Sequence, residues 1–346
     1  MSFGIDIRES EIRDWGYGIL ETLLMDHTTG QNIIWATNDY KAHGLGYSFN
    51  DTITPDLICD DHNYVIQPRI SKSDEEQRKR ISEKAEVFTP SWICNAQNNL
   101  IDKAWFETEQ DIFNHETEQG GIHSWEMNNE LPPYPPGKSW KTYIQENRLE
   151  MACGEAPYLC SRYDTTTGEF IPIERRIGLL DRKLMLINAH IPNVTPDMDS
   201  EERKRLQKQW RRKAYQALQS TYGFEWQGDN LLLAREALLI TFIEYYQAKW
   251  HTDKLPQKNC LKKVAEIISW NIWQMDGLTY GIPGQKTTEV LNRQLALFDK
   301  NPFDNEPFDG EPTQKLCRIM EWEGIEPLRG KEVIFNELLT QTTNKH

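Results

Sequence analysis

Apolar side chains recur at helical spacing from the start of the chain. Ile12, Trp15, Ile19, Leu20, Leu23 and Leu24 predict a packed helical segment over residues 9–26, and Asn32-Ile33-Ile34-Trp35-Ala36 reads as a short strand after the His27-Thr28-Thr29-Gly30 turn. Residues 71–84 are charged (Ser73-Asp74-Glu75-Glu76-Gln77-Arg78-Lys79-Arg80), the pattern of a solvated helix face or a mobile stretch. Thr89-Pro90-Ser91 opens a second helix, because proline is tolerated in a first turn, and Ile93, Ala96, Leu100, Ile101 and Trp105 follow at helical intervals. Residues 107–137 are polar and end in Leu131-Pro132-Pro133-Tyr134-Pro135-Pro136-Gly137, which predicts a loop.

Further on, Ser200-Glu201-Glu202-Arg203 offers a cap and first-turn acids for a basic amphipathic helix running to about Leu218. A helix capped near Asp229 carries Leu232, Leu239, Ile243 and Tyr246, and Leu261 to Trp273 reads as helix followed by strand. An acidic, proline-rich run over residues 301–312 precedes a terminal helix around residues 330–341.

Charge narrows the classes. The 346 residues carry 39 Lys and Arg against 53 Asp and Glu, a net charge of -14, so any contact with DNA must be confined to a local basic patch. The 6 cysteines include no C-x-x-C pair, which indicates neither a disulfide framework nor a zinc knuckle and fits a reducing cytoplasm. No apolar run approaches a membrane span and the N-terminus has no signal pattern, so the expectation is a cytoplasmic chain with no membrane partner.

Chemistry concentrates in Leu149-Glu150-Met151-Ala152-Cys153-Gly154-Glu155-Ala156-Pro157-Tyr158-Leu159, an apolar run that passes through small residues into a helix-compatible stretch. Open α/β folds bind ligands at such strand-to-loop turns. The segment resembles the cofactor loop of DNA adenine-N6 methyltransferase (M) subunits of bacterial restriction-modification systems, Asp-Pro-Ala-Cys-Gly-Ser-Gly-Ala-Phe-Leu. Ala152, Cys153, Gly154 and Leu159 coincide, whereas Glu150 stands for Asp, Met151 for Pro and Ala156 for the second Gly. That last change adds a Cβ where the backbone approaches the ligand.

Three more segments follow the family's order. Glu86-Val87-Phe88-Thr89-Pro90 resembles the box over the methionine end of the cofactor, with Phe88 against the ligand and Thr89 as a polar contact. Tyr222-Gly223-Phe224-Glu225-Trp226 resembles the strand whose terminal acid holds the ribose; an acid suits two vicinal hydroxyls. Glu225 is first choice, with Asp181 and Glu150 left open as alternatives. Asn271-Ile272-Trp273-Gln274-Met275-Asp276-Gly277-Leu278 resembles the strand end whose acid meets the adenine ring, with Met275 where glycine is usual.

The resemblance implies an α/β, Rossmann-like S-adenosylmethionine-dependent methyltransferase core over residues 81–290. A helix/strand segment over 1–80 would precede it, and an acidic linker with a terminal helix over 291–346 would follow. The implied cofactor is S-adenosylmethionine, bound by Phe88, Thr89, Cys153, Gly154, Glu225 and Asp276, with no metal. The implied partners are double-stranded DNA and a specificity or restriction subunit.

An adenine amine is a poor nucleophile, and the family polarises it with Asn or Asp-Pro-Pro-Tyr or Phe beside a flipped base. This chain has no such tetrad. Asn301-Pro302-Phe303 holds the nearest position in order, with one proline and Asp304 after it, and Leu131-Pro132-Pro133-Tyr134 lacks the leading amide or acid. A catalytically inactive, methyltransferase-like subunit that binds DNA or a partner is therefore the alternative, and an acidic scaffold or DNA mimic is a third reading that rests on net charge. Arg203, Lys204, Arg205, Lys208, Arg211, Arg212 and Lys213 cluster around Trp210 as a phosphate-tracking surface or a solvated face. Gln294-Leu295-Ala296-Leu297-Phe298 resembles the peptide that docks on a replication sliding clamp.

Overall fold

The structure, a computed structural model, describes residues 3–84, 89–195, 197–284, 315–325 and 328–343. Two short helices, α1 (Glu9–Asp14) and α2 (Ile19–Leu24), take the place of the single expected helical segment. Gly16, Tyr17 and Gly18 between them all have positive φ, which a continuous right-handed helix cannot contain. The expected strand over 32–36 contracts to Gln31–Asn32 paired with Met25–Asp26, followed by an isolated bridge from Ile34 to Thr52.

Next come α3 (Asp74–Lys84) and α4 (Ser91–Phe106), the latter starting behind Pro90 as its sequence requires. The polar stretch read as a loop contains an antiparallel hairpin, β1 (Asn114–Gln119) and β2 (Ile122–Met127). Gly120 and Gly121 form its turn, with φ of 61° and 82°; two glycines are a standard hairpin signal, outweighed here by the polar flanks.

The largest sheet among the described residues has three strands, β3 (Arg148–Met151), β4 (Thr221–Glu225) and β5 (Ile272–Gln274). They lie in the order β3-β4-β5 and both pairings are parallel. α5 (Leu179–His190) and α6 (Ser200–Gln219) join the first pair, α7 (Gly228–Trp250) and α8 (Lys258–Asn271) the second. Successive crossovers in one direction put their helices on one face of a sheet, and α7 and α8 pack against β4 and β5. α7 is buried almost all round, as expected of a helix at the centre of a core.

Because α7 is central, its Arg235 is fully buried and finds its partners in backbone carbonyls. It donates to Ile272 O (2.7 Å), Met25 O (3.0 Å) and Ser269 O (3.1 Å), and also to Leu23 O. These groups end helices α2 and α8, where intrahelical donors run out.

A second hairpin, β6 (Arg318–Ile325) and β7 (Leu328–Ile334), followed by α9 (Phe335–Thr343), covers the other face of the sheet. The expected terminal helix over 330–341 is thus strand and then helix. Gly330 allows this, since a Cβ there would lie 2.5 Å from Met320 Sδ on the facing strand. Phe224, Trp273 and Met275 pack with Ile319 and Phe335, and the Tyr222 hydroxyl donates to Met320 O at 3.0 Å. The cover stops short of the β3 edge, where Leu149 and Met151 are 42% and 72% exposed.

The result is a mixed α/β architecture of helices and small sheets. Residues from Phe3 to Ile272 share one hydrophobic core, so the first helices lie against the sheet-bearing part, with α2 on α8. No described helix is long and apolar enough to cross a membrane.

Candidate functional site

Parallel strands end at the same side, so the residues after β3, β4 and β5 meet. The Cys153 N–H donates to Phe224 O (2.9 Å) and the Met275 N–H to Glu225 O (3.0 Å), carrying the ladder one step past the strands. Immediately beyond, the Gly154 N–H donates to Glu225 Oε2 at 2.8 Å. The Gln227 N–H donates to Glu225 Oε1 at 3.2 Å. The sequence-predicted turn and the sequence-predicted acid therefore touch.

The turn itself is strained. Ala152, Gly154 and Ala156 all have positive φ, at 50°, 54° and 61°. The left-handed conformation costs an alanine about 1 kcal/mol, and such strain tends to gather at functional sites. Gly154 faces open space: a Cβ built on it meets nothing within 4 Å. Ala156 keeps the left-handed backbone despite its methyl group, and is wholly buried in the main core. Its Cβ is thus not on the open side, as the sequence comparison had it.

The predicted residues play different parts. Cys153 is 2% exposed, with its Sγ 3.3 Å from where a Cβ on Gly223 would sit, so the side chain lies in the core and only its backbone lines the turn. Burial, then the neighbouring Glu150 and Glu225 carboxyls, push its thiol pKa well up, which leaves it unreactive. Asp276 follows β5 and is half-buried, with its Oδ1 accepting from the Leu278 N–H at 2.8 Å.

Thr89 lies against the hydroxyl of Tyr158, four residues past Gly154. Its carbonyl accepts from Thr165 Oγ1 at 3.3 Å. Phe88, Asn301, Pro302, Phe303 and the segment 294–298 lie outside the described residues. Asp181 is engaged elsewhere: its Oδ2 accepts from the Ser161 N–H (2.8 Å), Ser161 Oγ (3.0 Å) and the Gly178 N–H (3.2 Å) at the start of α5. Tyr134 stacks on Phe106 at 5.4 Å, at the far end of α4 from Thr89. At 1.5 Å per residue that is roughly 20 Å away.

Two acids besides Glu225 stand at this end of the sheet: Glu150, an alternative ribose acid in the sequence, and Asp229, read there only as a helix cap. The Glu150 side chain tucks under the turn, its Oε1 accepting from the Tyr158 N–H at 3.4 Å while Oε2 has no partner. Burial raises its pKa well above the ordinary carboxylate range. Burial also raises that of Glu225, against the pull of the Gly154 and Gln227 N–H groups. At the first turn of α7, Asp229 Oδ2 accepts from the Tyr40 hydroxyl (2.7 Å) and Arg80 Nη1 (2.8 Å), with Lys72 Nζ at 3.5 Å.

Burial alone would raise the Asp229 pKa, but Arg80 and Lys72 outweigh it and hold it at about 2. Arg80 Nη2 also reaches Gln227 Oε1 at 3.3 Å. Asp229 Oδ1 and Asn230 Oδ1 stay buried without a donor. The charge run 73–80, read as solvated, thus sends a buried arginine to the sheet end. Arg69 joins from the same side, its N–H donating to Glu155 Oε1 at 2.6 Å.

At this end of the sheet Glu150 Oε2, Asp229 Oδ1, Asn230 Oδ1 and Lys72 Nζ are buried without a hydrogen-bond partner, while a Cβ on Gly154 would meet nothing within 4 Å. Among the described residues no group of three or more His, Cys, Asp or Glu side chains could hold a metal ion. No protein-family model, curated protein or solved structure matches the chain.

Proposed function

We propose that the carboxyl end of the β3-β4-β5 sheet is a Rossmann-like crevice for S-adenosylmethionine, and that the chain methylates adenine N6 in double-stranded DNA. One observation carries the reading: the Gly154 N–H donates to the Glu225 carboxylate across the carboxyl ends of adjacent parallel strands. Each Glu225 oxygen accepts one backbone N–H and keeps a lone pair, enough for the two vicinal hydroxyls of a ribose. Glu225 would hold the ribose, the backbone of Cys153 and Gly154 would pass under the methionine portion beside Thr89, and Asp276 would meet the adenine edge. The cofactor, when bound, supplies a methyl group for in-line transfer; the Asn301 side-chain oxygen and the Pro302 carbonyl would accept the hydrogens of the target amine, and Phe303 would stack on the flipped base.

A second reading, binding without transfer, is favoured by the position of Leu131-Pro132-Pro133-Tyr134, which is packed at the far end of α4 and cannot supply the amine-polarising group. Titration calorimetry with S-adenosylmethionine, paired with methyl incorporation into adenine-containing duplexes, separates the two. Heat with incorporation supports the first reading, and heat without incorporation the second. If no heat is seen in the parent protein, both lose their cofactor.

A further inference from the structure

The opposite, amino end of the same sheet carries a concentration of positive charge that the crevice does not use. Trp140 lies in a helical turn (Trp140–Tyr143) just before β3, and its ring stacks on His190, the last residue of α5, at 4.8 Å and 20°. Lys141 Nζ and Lys213 Nζ each lie 5.8 Å from the centre of that ring. Lys213 stands near the end of α6, which runs into β4. Burial lowers the Lys213 pKa, and the like charges of Lys141 and Arg212 lower it further, so the three cations sit close enough to repel.

The acids at the start of α6 do not relieve this. Glu201 pairs with Lys204 (2.8 Å) and Glu202 with Arg205 (3.5 Å), one turn away each. Among the described residues no carboxylate forms an ion pair with Lys141, Lys208, Arg212 or Lys213. Lys141, Lys208 and Arg212 are exposed.

In a chain of net charge -14, cations gathered without counter-charge around an aromatic ring make a local positive patch that attracts an external polyanion. Aromatic rings interleaved with cations, along a helix about 30 Å long, suit a phosphodiester backbone. We infer that Trp140, Lys141, Arg212 and Lys213, extended along α6 by Lys208, form a nucleic-acid backbone site at the amino end of the sheet, separate from the crevice. The ring holds the two ammonium groups in place by cation–π attraction, and the site reads phosphates, not sequence. This inference does not rest on the cofactor reading.

The test is binding of a labelled duplex and of a single strand of the same sequence, followed over a series of salt concentrations. Lys141→Gln, Arg212→Gln and Lys213→Gln together should weaken binding of at least one form about 10-fold or more near 0.1 M salt. They should also flatten the log–log salt slope by about 2 to 3, close to one per lost phosphate contact. The form more affected identifies the source of the phosphates. Lys204→Gln with Arg205→Gln, whose charges are already paired with Glu201 and Glu202 at the start of the helix, should change the slope by less than 1. The parent protein supplies a check independent of variant folding: nucleic acid should protect Lys141 and Lys213, but not Lys204, from acetylation. Equal effects of the two variant sets, or no protection of Lys141 and Lys213, would overturn the inference, as would equally tight binding to an acidic peptide. S-adenosylmethionine calorimetry on the triple variant should match the parent, so failure here is distinct from failure of the crevice reading.

Discussion

The two ends of one small sheet treat buried charge in opposite ways. At the amino end, Lys183 is fully buried, and its ammonium donates to Glu146 O (2.7 Å), Ser220 O (2.9 Å) and Ser220 Oγ (2.7 Å). With Thr221 Oγ1 at 3.5 Å these acceptors tie the starts of β3 and β4 together, although burial lowers the Lys183 pKa well below that of a free lysine. Arg148 beside it leaves Nε and Nη2 unbonded but sets its guanidinium over the Tyr143 ring at 5.9 Å. At the carboxyl end, Glu150 Oε2, Asp229 Oδ1 and Asn230 Oδ1 are buried with no donor. An unpaired buried acceptor costs about 1–3 kcal/mol. Lys183 has a full set of acceptors, whereas these three oxygens have no donor.

The sharpest way to break this contrast is at the scaffold end. Lys183→Met should cost about 3 kcal/mol in denaturant unfolding, because it strands the Glu146 and Ser220 carbonyls, and should leave ligand affinity within about two-fold once folded. An equal loss of affinity would mean that the two ends are not separate. At the crevice, Glu225→Gln should do the reverse. S-adenosylmethionine affinity should fall about 30-fold by calorimetry, about 2 kcal/mol, with a change in unfolding free energy below about 1 kcal/mol.

Glu150→Gln sharpens the contrast further. Burial disfavours the Glu150 carboxylate, so the neutral amide should stabilise the protein by about 1 kcal/mol at pH 8, with the gain disappearing toward pH 4. Gain of stability with loss of ligand binding would mark a residue kept for function.

pH should divide the buried acids in the same manner. Glu9 and Glu236 are both buried, each with an unpartnered Oε1. Burial raises the Glu9 pKa from 4.5 to about 9 and that of Glu236 well above the ordinary value. A raised carboxyl binds more protons when folded, so its contribution is whole below pH 4.5 and is lost as pH rises toward 9. Asp229, held at about 2 against an ordinary 3.8, contributes above pH 3.8 and loses that contribution as pH falls toward 2. The unfolding temperature should therefore peak near pH 4–5 and decline toward pH 9, and Glu9→Gln should flatten the alkaline limb. A flat profile from pH 5 to 9 in the parent would contradict this. The smallest effect is expected at Gly154→Ala, which meets no clash but must hold φ at 54°. About 1 kcal/mol of stability should be lost.

Much of this was legible in the sequence, for physical reasons that can be named. Helices with strong apolar periodicity, α4 and α6 to α8, stand where Leu, Ile and Trp spacing put them, and the passage from Asn271 into a strand at Ile272 was visible as well. The small residues 152–156 announced a turn, and Glu225 was picked out by the resemblance of Tyr222–Trp226 to a strand that ends in an acid. What stayed hidden depends on distant partners. Nothing local distinguishes Arg80 from its solvated neighbours, yet Asp229, 149 residues away, draws it into the interior. Lys141, Trp140 and Lys213 form one surface only because the crossover from β3 to β4 returns the chain to the same sheet end. β6 and β7 were obscured by exposed charges such as Arg318, Glu321, Lys331 and Glu332, which fall on both faces of the hairpin and break the apolar alternation that would have revealed them.

The most direct measurement is a structure of the chain crystallised with S-adenosylhomocysteine. The account predicts ribose hydroxyls within hydrogen-bond distance of Glu225, with the ligand lying over Gly154 in the space that no side chain fills. A ligand bound elsewhere, or a crevice still empty at saturating ligand, would contradict it.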